Sequence, residues 1–465
     1  MKHKLIEIDY PEFGVVDTPP NIKLSEYQAR IAGVRAVMES HGLTHLVIYA
    51  DREHFTNLFY LSGFDPRFEE ALMILRPDEK PLIITGNECG AYLNISPLFR
   101  EKEVRHERYQ SFSLLSQPRN ESKMLREIFA SEGISEKSKV GCAGWKFFSE
   151  EETPDALHTI EIPAFIVDVL REIAGHKSVV NATDIFMHPD YGLRSACTAS
   201  ETAFLEYSSV RASEGVKKML HGIKDGMVDF ELAKLMEYSG EPLCCHMTLV
   251  TGDNREYGMC SPMGAVIRRG EPLAFNLGYW GSNVCRAGWV TESHNDLPAN
   301  VQDYIPAFAG RYYEAMNKWF SLMRIGVTGG GLYNVIAENL PFEEFGVFLN
   351  PGHLIHMDEW VSSPVFKGSK FPIRSGMAIQ VDVIPSSPVY FSTRMEDGIV
   401  IADKTLRREI REMYPDCYKR CQARREFMEN VLGIELSEDV LPLSNIPAIV
   451  PPFFLRSNIV FAIEK

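Results

Sequence analysis

The stretch GMAIQVDVI, residues 376–384, decides how the second half of this chain is read. By the two-residue period of a strand, Ile379, Val381 and Val383 point one way, while Gln380 and Asp382 point the other. Just upstream, Gly352-His353 follows Pro351, and just downstream RMEDGIV, residues 394–400, sets Glu396 beside apolar strand sequence. Further back, LAFNLGYW, residues 273–280, puts Leu273, Phe275, Leu277 and Tyr279 on one face and Asn276 on the other. A lone carboxylate in a strand is ordinarily a solvated surface group. Four such features in the C-terminal half, each marked by a neighbouring Gly or His, point instead to polar groups converging on one pocket.

The order of these pieces resembles the catalytic domain of the pita-bread family, which includes creatinase, aminopeptidase P, prolidase and methionine aminopeptidase. The peptidases of that family hold two metal ions with two Asp, one His and two Glu, in that order. The resemblance places the first Asp at Asn276. It places the second at Asn283, in Ser282-Asn283-Val284-Cys285-Arg286, which is similar to the family's S-D-x-x-R. The His falls on His353, the first Glu on Asp382 and the second on Glu396. A further family His falls near Met259, and the His-Glu pair that follows the metal-binding His is missing around Trp360 and Val361. The resemblance therefore implies a pita-bread domain with an altered site.

A chain of 465 residues exceeds one ordinary domain. The first half reads as an α/β domain: helical spacing over 25–41, a buried strand at Thr44–Ala50, the segment Leu58–Phe64, and Ala71–Leu75 turned back on Pro81–Thr85 through 76–80. A strand at Lys139–Trp145 and a helix at Ala164–Ala174 follow. The string N-L-x-Y-L-x-G-F at Asn57–Phe64 resembles the non-catalytic N-terminal domain of creatinase and aminopeptidase P. His188-Pro189-Asp190-Tyr191-Gly192 interrupts the pattern, so the domains are expected at 1–190 and 191–465. Beyond the boundary, Ala199–Ile223 reads as a long helix, with a second after Gly226. Residues 300–323 and 404–430 supply further helices, and 440–456 an extended strap. Gly329-Gly330-Gly331 lacks the flanking Lys and Ser/Thr of a phosphate loop and reads as a plain loop.

The net charge of −15 argues against nucleic acid or an anionic membrane as partner. No apolar run approaches the roughly 18 to 20 residues of a membrane span, and the opening residues lack the apolar core of a signal peptide. Nine cysteines without a CxxC pair read as free thiols in a reducing, cytoplasmic setting. Cys244-Cys245-His246 lacks a second Cys pair for a metal cluster. Cys260 and Cys285 have no specific His partner that would make either a nucleophile. Cys417 and Cys421, one turn apart, read as packing residues, and His356 as a group beside the site or at the surface.

A dinuclear centre gathers about four positive charges and needs bridging carboxylates to balance them. Here two of the four carboxylate positions are amides, so His353, Asp382 and Glu396 would hold at most a single divalent metal. Two catalytic schemes remain. In the metal-free, creatinase-like one, His353 transfers protons and Glu396 and Asp382 hold a cationic or guanidino-like group. Arg286 binds a substrate carboxylate, and Asn276, Asn283 and Met259 line the pocket. The other is a mononuclear metal hydrolase or lyase. The substrate class is a small molecule or short peptide, and cleavage of Xaa-Pro peptides by two metals is not expected. A non-catalytic pita-bread protein that binds a peptide, small molecule or protein is the alternative. The resemblance also implies a homodimer.

Overall fold

The computed structural model describes residues 2–464. They divide into two units: Ile22–Arg194, and a second made of the chain up to Asn21 with Ser195 onward. The expected division at 190 thus assigned the first residues to the wrong unit. His3–Glu7 pairs antiparallel with Ile459–Ile463, so the N-terminus is tied by strand hydrogen bonds to the far end of the chain. No rule of local pattern joins segments so distant in sequence.

In the first unit the apolar runs become the middle of a six-stranded mixed sheet. Its order is Arg105–Arg108, Leu82–Thr85, Ala71–Leu75, His45–Ala50, Val140–Ala143 and Val179–Asn181. Ala71–Leu75 and Leu82–Thr85 form the expected antiparallel hairpin, and the three outer pairings are parallel. Strands buried on both faces read as continuous Val/Ile/Leu runs, as HLVIYA, ALMIL and LIIT do here. Helices Leu24–Ser40 and Ala164–Ala174 match the spacing read from sequence, whereas Asn57–Ser62 lies in a short helix, Thr56–Ser62.

The second unit carries two four-stranded antiparallel sheets. One runs Arg394–Glu396, Ser282–Trp289, Pro272–Tyr279, Leu249–Thr251; the other His353–Leu354, Ala378–Gln380, Gly398–Ile401, Val440–Pro442. A single residue, Asp397, separates the strand that ends the first from the strand that enters the second, so the sheets meet at Glu396. The expected strand at 379–384 shrinks to Ala378–Gln380, with Val381 N–H still donating to Asp397 O (2.9 Å). The long helix Ala199–Gly222 starts at a capping box: Thr198 Oγ1 accepts the Glu201 N–H (3.2 Å), and Glu201 Oε2 accepts the Thr198 N–H (2.8 Å). It packs on the Pro272–Tyr279/Ser282–Trp289 hairpin.

Three further expectations change. The 404–430 helix is two, Lys404–Met413 and Pro415–Asn430, because Pro415 has no N–H to continue the first and Tyr414 leaves helical geometry at φ −136°. Residues 300–323 reach regular α geometry only over Gly310–Leu322, after a π turn at Ile305–Ala309 that contains Pro306. The Gly329-Gly330-Gly331 loop is instead the first turn of helix Gly329–Asn339, capped by Thr328. A Cβ at Gly329 would lie 1.8 Å from the Pro364 carbonyl oxygen, so backbone contact demands glycine there. All nine cysteines are free, and among the described residues no helix is long and apolar enough to cross a membrane.

Candidate functional site

The hairpin and the Arg394–Glu396 strand bring three of the expected residues into one hydrogen-bonded chain. Register sets Cys285 opposite both Asn276 and Glu396. Asn276 Nδ2 donates to Asn283 Oδ1 (3.0 Å), and Asn283 Nδ2 donates to Glu396 Oε1 (2.9 Å). Asn276 Oδ1 accepts from the Thr248 backbone N–H and from Thr248 Oγ1 (2.7 Å). Gln380 Nε2 donates to the Asn283 carbonyl and lies 3.4 Å from Glu396 Oε1. Both amide carbonyl oxygens are thus taken by protein donors.

His353 lies beside this chain, fully buried, its ring stacked on Trp360 at 4.0 Å. Nδ1–H faces the Leu354 carbonyl (3.4 Å), while Nε2 lies 3.3 Å from Glu359 Oε1 and 3.8 Å from Asp382 Oδ2. Burial pulls the imidazole pKa down, but Glu359 and Asp382 outweigh it and hold His353 above its ordinary value. Burial lifts Asp382 to about 6, tempered by His353 and reinforced by Glu359. Burial, with Asp382 and Glu359 nearby, raises Glu396 well above the carboxylate range, against the hydrogen bond from Asn283. The set holds three carboxyl groups against one imidazole, with Arg394 further off, on the same strand face as Glu396.

Two expected residues lie elsewhere. Met259 is 82% exposed and takes no part in the cluster. Arg286 is wholly buried on the opposite face of its strand: Nη2 pairs with Asp397 (2.8 and 3.1 Å) and donates to Ile446 O, and Nε donates to Ile449 O. Its fork is filled, so it does not bind substrate; an odd spacing from Asn283 had already put the two side chains on opposite faces. The 440–456 strap thus supplies acceptors to Arg286. His356 is buried and 3.1 Å from Glu201 Oε1. Cys285 is buried, with its thiol pushed up to about 12, which removes it as a nucleophile at neutral pH. Glu359, Gln380, Thr248 and Cys245, whose sulfur is 3.4 Å from Asn276 Nδ2, were not chosen from sequence. Only Gln380 carried a signal, its shared face with Asp382.

At the two positions where the resemblance puts Asp, the amide oxygens of Asn276 and Asn283 already accept hydrogen bonds. Among the described residues, His353, Asp382 and Glu396 do not bring one donor atom each within 4.8 Å of one another. The single-metal trio expected from sequence is therefore not preassembled.

No sequence-family model matches the chain, and no curated protein matches it in sequence. Solved structures do. The prolidase of Pyrococcus horikoshii OT3 superposes with a TM-score of 0.61 at 17% identity, over 80% of this chain and 95% of that one. A recombinant prolidase from Thermococcus sibiricus gives 0.62 at 16%, over 83% and 96%. The X-Pro aminopeptidase of Thermotoga maritima MSB8 gives 0.60 at 15%, over 80% and 95%. With two antiparallel sheets meeting at a buried polar cluster, and with these neighbours along nearly their whole length, the chain has the pita-bread fold of the prolidases and aminopeptidase P.

Proposed function

We propose that this protein is a metal-independent, creatinase-like hydrolase of a small, cationic, C–N bonded substrate. One observation carries the reading: Asn276, Asn283 and Glu396 form a hydrogen-bonded chain beside a His353 held between Glu359 and Asp382. Where the peptidase pattern expects charge to balance two metals, the chain offers amides bonded to each other. An excess of carboxyl groups around one imidazole favours a substrate that brings positive charge, such as a guanidino or ammonium group, to Asp382 and Glu359. Arg394, rather than Arg286, holds a substrate carboxylate.

In the reaction His353 Nε2 takes a proton from water as the water oxygen bonds to the carbon, and returns it to the leaving nitrogen as the C–N bond breaks. Glu359 and Asp382 stabilise the imidazolium between these steps. Glu396, kept protonated by its surroundings, donates a hydrogen bond to the developing oxyanion. A homodimer and a reducing, cytoplasmic location accompany this reading, the latter supported by nine free thiols.

The test is a panel of guanidino acids, ureido acids, small amides and Xaa-Pro dipeptides, assayed for amine or ammonia release by chelator-treated protein. Turnover of a guanidino or amide compound without metal, reduced about 10²–10⁴-fold in His353→Ala, is the expected result. Turnover of Xaa-Pro dipeptides that appears only with added Mn would overturn the proposal.

A further inference from the structure

We propose that Cys197, Glu201 and His356 form a binding site for one zinc-class divalent metal ion, separate from the His353 cluster. One donor atom from each residue lies within 4.8 Å of the other two, and the residues are 6%, 2% and 0% exposed. Sulfur, carboxylate oxygen and imidazole nitrogen together suit zinc, whereas calcium and magnesium call for oxygen donors. A thiolate and a carboxylate also supply the two negative charges that make a buried divalent ion electrically neutral with its ligands.

Each ligand is held by a different part of the second unit. The capping box fixes Glu201: its Oε2 accepts the Thr198 N–H, while Oε1 faces His356 Nε2 at 3.1 Å. Two ligands about 2.0 Å from a tetrahedral ion stand about 3.3 Å apart, so this pair is already at bonding spacing. Cys197, one residue before the cap, is anchored by its N–H to the Gly376 carbonyl (2.7 Å). The His356 N–H donates to Asp358 O (3.1 Å). The turn of the Pro272–Tyr279/Ser282–Trp289 hairpin presses on the same residue, since a Cβ at Gly281 would lie 1.7 Å from its carbonyl oxygen. The ion would therefore join the start of the long helix to the segment that follows His353 by three residues, a structural staple rather than a catalytic centre. Three protein ligands leave a fourth position to a further donor.

Because the ligands are buried, the protein is unfolded in denaturant with chelator, then refolded with cobalt(II), zinc(II) or no metal. Wild type is expected to take up one equivalent of cobalt with a thiolate-to-cobalt charge-transfer band. Cys197→Ser should lose the band, whereas Cys244→Ser/Cys245→Ser and His353→Ala should keep it. Zinc should raise the melting temperature of wild type by several degrees, with the rise lost in Glu201→Gln. If Cys197→Ser does not refold, His356→Gln reports the same loss of band. Wild type without stoichiometric cobalt, or a band that survives Cys197→Ser and disappears in Cys244→Ser/Cys245→Ser, would overturn the proposal.

Discussion

The strands Ser282–Trp289 and Arg394–Glu396 carry two buried polar sets on their opposite faces, and the sets are balanced differently. On one face the Arg286 guanidinium meets Asp397 and the Ile446 and Ile449 carbonyls. Asp397 also accepts the Ala448 N–H (3.1 Å). Burial still raises the Asp397 carboxyl, against the pull of Arg286. On the other face Glu396 is bonded to Asn283, Glu359 and Asp382 flank the His353 imidazole near it, and the two amides add no charge. The first arrangement satisfies itself and holds the strap to the sheet. The second is left with carboxyl groups in excess, the imbalance on which the proposed substrate site rests.

Arg286→Met breaks the balanced face most severely. It leaves Asp397 buried without its cation, and a loss of roughly 3–5 kcal/mol is expected in equilibrium urea unfolding. A loss below about 1 kcal/mol would remove the contrast between the faces. Next comes Asn276→Asp with Asn283→Asp, which turns a donor–acceptor chain into a crowd of carboxylates. Metal-free, the double variant should lose about 1–3 kcal/mol, the cost of buried polar groups without partners. With Mn or Zn, its melting temperature should rise far more than that of wild type. Equal metal responses would show that residues 276 and 283 are not ligand positions.

Acidity sharpens the comparison further. A carboxyl whose folded pKa is raised keeps its proton longer folded than unfolded. The stability it contributes is complete below the ordinary value of 3.8 and is lost as pH rises through about 6 for Asp382. His353, also raised, contributes with the same sign over a higher range. Urea unfolding of Asp382→Asn should therefore decline less steeply than wild type between about pH 4 and 6. Parallel curves would mean that Asp382 titrates as an ordinary surface group. Met259→Ala should have the smallest effect, within about 0.5 kcal/mol of wild type and without change in activity; a larger effect would return Met259 to the site.

Side-chain alternation made much of the fold and part of the site legible. Asn276 opposite Leu273, Phe275 and Leu277, and Gln380 with Asp382 opposite Ile379 and Val381, follow from a period fixed by backbone geometry. So do the buried runs of the first unit. The same rule, applied to Asn283 and Arg286, separates them, and the substrate role given to Arg286 from resemblance did not apply it. The cut at Pro415 was equally legible, since proline lacks the N–H a continuing helix needs.

What the sequence by itself determined, then, is the identity of the groups and the strand face each occupies, because both depend on covalent structure and local backbone period. Only the tertiary structure decided which groups meet. Glu359 reaches His353, Thr248 occupies the Asn276 carbonyl, the strap closes over Arg286, and Cys197 and Glu201 come to His356. These contacts join segments far apart in the chain. They are set by how sheets and helix pack, and hydrophobic packing, being non-directional, leaves no local mark in the sequence of which distant polar groups it will bring together.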